Sequence, residues 1–235
     1  MDDQLTMSVR DIAAVVHARR LGELPVLLRS EPVWTDEDTD QRARTVRLDE
    51  ETLEGLYTLA HPAFEYGAFI RTDTQYRSVF VAERGRCVVV AERMADVLTM
   101  TTAHDRSALA ELVQHIPDAT AATIEAVNLR RSDVASRRGK AVDFELGAGP
   151  QGRDFRTVAT LSGRPLMGQG ELYVGAHDQF GRVAISKPVR YQDYDLGRVL
   201  VVVSDDFVSL APATKPALTR RLTEERQCIT RALSR

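Results

Sequence analysis

The sequence predicts an α/β chain of the α+β type, a quasi-two-fold single domain built from two related halves around antiparallel strands. Three observations carry this. Residues 65–97 hold three runs rich in Val, Phe, Tyr and Ile, broken at Asp73-Thr74 and at Arg84-Gly85-Arg86, which is how an antiparallel meander is written. The pattern returns at residues 170–179, 182–191 and 198–204, and its last run is again mostly Val. Asp96 to Met100 aligns with Asp206 to Leu210 at an offset of 110 residues, and the helices that follow align Leu109 with Leu218 at an offset of 109. Two copies are too few for a solenoid, but they suit a pseudo-two-fold domain.

Taken in order, residues 4–7 suit a short strand. Ser8 is an N-cap for a helix reaching about Leu21, with Asp11 in its first turn, Ile12, Val15 and Val16 as its apolar stripe, and Gly22 closing it. Leu24-Pro25-Val26-Leu27-Leu28 leads to a polar stretch, residues 35–47, read as a solvated loop or exposed helix, and Trp34 before it reads as a packed anchor. Asp49 starts a helix with Leu53, Leu56, Tyr57 and Ala60 on one face, which Pro62 ends. In the first meander Tyr76, Ser78, Phe80 and Ala82 share one face and Arg77, Val79, Val81 and Glu83 the other, because side chains alternate along a strand. Residues 87–91 are apolar throughout, so they should be covered on both sides.

Residues 107–116 form a short amphipathic helix stopped by Pro117, with Asp105 suited to cap it, and residues 120–129 read as a strand or a loose connection. Residues 132–137 add a helical turn. The glycine-rich segment 139–152 marks the junction, so the halves run over about 1–138 and 153–235. A helix over 154–162 turns Phe155, Val158 and Leu161 inward. After the second meander come a turn at Asp205-Asp206, a strand over 207–210 and a helix over 214–233. That helix buries Leu218, Leu222, Ile229 and Leu233 and carries Arg220, Arg221, Glu224, Glu225 and Arg226 outside.

Composition bounds the function. The chain has 235 residues, 43% hydrophobic and 28% charged, which allows a substantial core and excludes a wholly disordered chain. A net charge of −3 gives no sign of a nucleic-acid partner, which needs a surplus of clustered Lys and Arg. Two cysteines, Cys87 and Cys228, without C-x-x-C spacing favour free thiols in a reducing compartment. The acidic start is not a signal peptide, and no stretch approaches the roughly 20 apolar residues of a membrane span. The expected location is cytoplasmic, without membrane insertion, and an exposed edge strand would permit a homodimer.

No catalytic or metal-binding signature appears. Gly168-Gln169-Gly170 and Gly147-Ala148-Gly149-Pro150 share only glycine content with phosphate loops and read as turns. The histidines, His17, His61, His104, His115 and His177, are scattered with no two at i, i+4, so a metal would need a convergence in space that the sequence does not show. Asp193-x-Asp195 and Asp205-Asp206 read as turn residues rather than paired catalytic carboxylates. His177-Asp178 has no assignable nucleophile beside it. No catalytic residue, metal or cofactor is assigned.

The second meander carries a recognisable text. Gly175-Ala176-His177-Asp178-Gln179-Phe180-Gly181-Arg182, then Pro188-Val189-Arg190-Tyr191-Gln192-Asp193, then Gly197-Arg198-Val199-Leu200 resembles the C-terminal half of the EspG family of type VII (ESX) secretion-associated proteins. The N-terminal half is similar too, in Leu5-Thr6-Met7, Leu24-Pro25-Val26-Leu27-Leu28, the helix from Leu48 and the Val-rich hairpin. The motifs are individually short, and their order carries the resemblance over nearly the whole chain. It implies one domain with a central antiparallel sheet flanked by helical bundles, no catalysis, and a role as an actinobacterial cytosolic chaperone that keeps a secreted PE–PPE-like pair soluble for export. The implied partner contacts fall on Phe69, Arg71, Thr72, Asp73, Thr74, Gln75, Arg77 and Val79, and on Leu218 and Arg221 of the last helix. The hairpin between Arg71 and Gln75 is only a few residues long, a departure that bears on a PE–PPE client more than on the fold. Two rival readings are an interaction or regulatory module whose client is not secreted, and an enzyme with a site around His177, Asp178 or Asp193.

Overall fold

The computed structural model describes residues 4–29, 41–44, 46, 48–132 and 150–234. Trp34, most of the polar stretch 35–47, nearly all of the helical turn expected at 132–137, and residues 139–149 of the expected junction lie outside them. Among the described residues eleven strands form one antiparallel sheet: β1 Gln4–Ser8, β2 Phe64–Thr72, β3 Tyr76–Arg84, β4 Cys87–Met94, β5 Val97–His104, β6 Val127–Arg130, β7 Leu166–His177, β8 Val183–Ile185, β9 Val189–Tyr194, β10 Gly197–Val203 and β11 Phe207–Pro212. Their order across the sheet is β1-β5-β4-β3-β2-β7-β9-β10-β11-β6, with β8 on β7. Five helices lie wholly among the described residues: α1 Val9–Ala18, α2 Glu50–Ala60, α3 Ala108–Gln114, α4 Pro150–Ser162 and α5 Lys215–Leu233.

Register reveals the dyad. Val90 pairs with Thr101 and Val81 with Val90, while 110 residues on Leu200 pairs with Ala211 and Tyr191 with Leu200. At the centre β2 and β7 run antiparallel, and Ala68 faces Leu172, so the two halves meet there about an axis normal to the sheet. Ala68 also pairs with Val79 and Leu172 with Val189. The path from the central strand to its neighbour is therefore six residues longer in the second half, and the extra length holds β8. The run expected at 182–191 is thus two strands, parted near Pro188, whose missing N–H cannot join a ladder. The outer strands also correspond: β1 closes the sheet on β5 and β6 closes it on β11. β6 precedes the glycine-rich segment, yet it belongs to the second half's side of the sheet.

Each sheet face carries its own helical layer. On one, α3 and α5 cover Tyr66, Ala68, Ile70, Val79, Val81, Leu172, Val174 and Tyr191. On the other, α1, α2 and a 3-10 turn, Val26–Leu28, cover Phe80, Ala82, Val89, Ala91, Leu98 and Met100. Farther along that second face, Leu161 of α4 packs on Val199. The residues expected to be covered on both sides, 87–91, are buried except for half-buried Val90.

The helix ends follow from local chemistry. Ser8 Oγ accepts from the Asp11 amide at 3.0 Å and Asp49 Oδ1 from that of Thr52 at 2.7 Å, satisfying amides that a first helical turn leaves free. The cap of α3 is Ser107, whose Oγ accepts from the Ala110 amide at 3.3 Å, not Asp105. Asp105 has φ 57° and pairs with Arg86 instead. α1 stops at Ala18, three residues early, because Arg20 takes φ 53° and Gly22 φ 114°. Tyr57, expected on the inner face of α2, is exposed, and Leu59 holds the inner position. Gly168 and Gly170 lie within β7 rather than in a turn.

Candidate functional site

Neither helical layer covers the middle of the second face. Side chains alternate across the strands, so those facing this gap line up in two cross-strand rows. One runs Tyr76, Arg71, Gln169, Gln192, and the next Ser78, Phe69, Glu171, Arg190, Val201. All of these except buried Ser78 line a groove of about 700 Å³. Phe69 and Tyr76 stack with ring centroids 6.4 Å apart, and Arg190 Nε donates to Glu171 at 2.7 Å.

Phe69 also lines a second hollow, of about 510 Å³, so the two adjoin along the sheet. Here the walls are Leu24, Pro25, Val26 and Leu27, the end of α2, and Val183 and Ile185 of β8. Val26, Val183 and Ile185 are exposed. At its base Glu65 lies 2.9 Å from His177 Nε2. The result is a trough with a charged and aromatic end, an apolar end and Phe69 between them.

Glycine shapes the floor. A Cβ on Gly67 would stand 2.0 Å from the ring of Tyr173, its partner across β2 and β7, so the ring lies flat over bare backbone. Burial raises the Tyr173 phenol well above its ordinary range, and the negative Glu65 adds to the shift, so the ring stays neutral.

The expected partner-binding residues separate. Phe69 and Arg71 line the trough, and Thr72 to Gln75 form the hairpin tip beside it, where the Thr72 amide donates to the Gln75 carbonyl at 2.9 Å. Val79 and Leu218 are fully buried beneath the α3 and α5 layer, so they pack the core and offer a partner no surface. Arg77 is on that same opposite face, donating to Glu92 at 2.9 Å and to the His115 carbonyl. Arg221 is tied along α5 to Glu224 at 3.0 Å and to Glu225. Glu225 and Arg226 do not decorate the outside of α5 as expected. Glu225 is buried, and Arg226 reaches Glu83 at 2.9 Å and sits 3.9 Å over the Phe64 ring.

Sequence reasoning missed Tyr76, Gln169, Glu171, Arg190, Gln192 and Val201. Tyr76 was legible as the cross-strand neighbour of Arg71, but the other five come from the second half, and the repeat alone does not say that β7 lies beside β2. The residues proposed as a catalytic alternative do not converge. His177 faces Glu65, Asp178 binds Arg182, and Asp193 is the partner of Arg198.

Arg198 explains much of the recognised text. It is fully buried, donating to Asp193 at 2.7 and 2.8 Å and to the Pro117 carbonyl at 2.8 Å, with its guanidinium 4.2 Å over the Tyr191 ring. Burial pushes the Tyr191 phenol up to about 12. Gly197 at φ 109° has no room for a Cβ, which would meet the Ala121 carbonyl at 2.7 Å. The segments Pro188 to Asp193 and Gly197 to Leu200 are one clasp that holds the connection before β6 against the sheet.

No curated protein sequence matches the chain. Among solved structures, the Mycobacterium tuberculosis type VII secretion system chaperone EspG5, solved in complex with a PE25-PPE41 dimer, superposes with a TM-score of 0.72 at 15% identity, covering 97% of each chain. That likeness shows a shared α+β fold. The sequence model of the EspG family matches residues 8–224, nearly the full length, and the chain therefore belongs to the EspG family.

Proposed function

We propose that this protein is a cytoplasmic chaperone of a type VII secretion system that holds a secreted, helical PE–PPE-like pair in the trough and keeps it soluble until export. Family membership supports the activity, as does the shared fold of a chaperone captured with such a pair. The observation that carries the reading is the strip of sheet at Phe69 that the described helical layers leave open, ringed by exposed Val26, Val183 and Ile185 at one end and by Arg71 and Arg190 at the other. An exposed apolar helical tip is an aggregation hazard. A groove with a central aromatic anchor and flanking arginines can receive one reversibly. On this reading Phe69, Arg71 and Tyr76 anchor the client and Thr72, Asp73, Thr74 and Gln75 border it. The protein acts by binding rather than by catalysis. The chain is one domain of two halves, the second beginning before β6.

Co-expression with a co-encoded PE–PPE-like pair tests this. The pair should be soluble and co-purify only with the chaperone. Arg71→Glu, at an exposed position, should abolish co-purification while the melting temperature stays unchanged, and Phe69→Glu should abolish it in a chain that still folds, with some loss of stability because Phe69 packs on the core. A pair that is soluble alone, or that binds both variants as well as the parent chain, sinks the assignment.

A further inference from the structure

A different part of the molecule gathers metal-ligating groups that no strand or helix brings together in sequence. Cys87 opens β4 and His104 closes β5, and the two are cross-strand partners, so their side chains leave the sheet on the same face. α2 lies over them and contributes Glu54. One ligand atom from each of Glu54, Cys87 and His104 lies within 4.8 Å of the other two. Cys87 is buried and fixed, with Thr58 Oγ1 donating to its sulfur at 3.6 Å, whereas Glu54 and His104 are exposed and free to rotate inward.

We propose that Glu54, Cys87 and His104 bind a divalent metal ion, with zinc the matching ion, and so tie α2 to the open end of the β4 and β5 pair. Thiolate, imidazole and carboxylate in one cluster suit zinc, and bond lengths of about 2.0–2.3 Å put tetrahedral ligands roughly 3.5 Å apart, so atoms within 4.8 Å of one another need close by little more than about 1 Å at most. The two exposed side chains supply that closure. Three protein ligands leave the fourth position to water.

On binding, the sulfur–metal bond forms as the thiol proton leaves to solvent, and the cation neutralises charge that otherwise opposes the thiolate. The Thr58 hydroxyl then supports the ligating sulfur from behind. Arg86 and Asp105 next to the site are paired with each other at 2.7 Å.

The test uses the full chain carrying Cys228→Ser, which removes the exposed second thiol. Zinc alone is titrated against a chromophoric chelator, and cobalt(II) serves as a spectroscopic probe. Expected are one ion per chain, a thiolate-to-cobalt charge-transfer band that Cys87→Ala abolishes, and a zinc-dependent rise in melting temperature. His104→Ala and Glu54→Gln change exposed side chains, so both should fold as the parent does without metal. Each should bind zinc at least about tenfold more weakly. Absence of stoichiometric binding, a cobalt complex without the thiolate band, or unchanged affinity in His104→Ala and Glu54→Gln each overturns the site.

Discussion

Arg198 shows how much one side chain can decide. A guanidinium without exposed surface is costly in a protein interior unless its charge is matched, and here Asp193 matches it through two hydrogen bonds while the Pro117 carbonyl takes a third. Removing the aspartate strands the cation. Asp193→Ala should therefore destabilise the protein by roughly 3–5 kcal/mol in urea unfolding, more than Arg198→Met, which removes the charge and keeps the bulk. If the two variants unfold alike, the ion pair is not what the clasp depends on. In the sequence Asp193 resembled a turn residue, because the charge that claims it stands across a hairpin.

At the scale of elements, the centre of the sheet, where β2, β7 and β9 lie side by side, depends on small residues beside large ones. Gly67 gives its side-chain volume to Tyr173, and Gly170 gives its own to Tyr191, each across a strand pair. Adding a methyl to Gly67 forces the Tyr173 ring off the floor of the trough. Gly67→Ala should destabilise by about 1–3 kcal/mol and weaken client binding together, as read by unfolding and by co-purification. Full stability in that variant would show that the ring moves aside freely. The strands and most helices were legible in the sequence because their signals are local: alternation, valine runs, Gly and Asp breaks, and Ser8 and Asp49 as caps. The trough was only half legible. Phe69, Arg71 and the hairpin tip followed from the resemblance, but Glu171 and Arg190 reach the site through strand order, which no local signal encodes. Val79 and Leu218 were misplaced because an apolar residue beside an expected interface resembles one inside the core.

For the whole molecule, the dyad predicts where the fold opens last. β2 is paired along nearly its full length on both sides, with β3 and with β7, and Ala68, Ile70, Leu172 and Val174 beside the axis are almost without exposed surface. At the rims, β1 and β6 are five and four residues long and each is held by a single neighbour. Local opening is least costly where backbone hydrogen bonds meet solvent and few apolar contacts must break. Amide exchange should therefore be slowest at residues 66–70 and 172–174 in both halves alike, and fastest in β1 and β6. Because the halves share the central ladder, β4 and β10 should come next, at closely similar rates, as their matching registers imply. Slow exchange in only one of those two strands, with the centre no better protected than the rims, would mean that the halves fold as separate units that merely touch at β2 and β7.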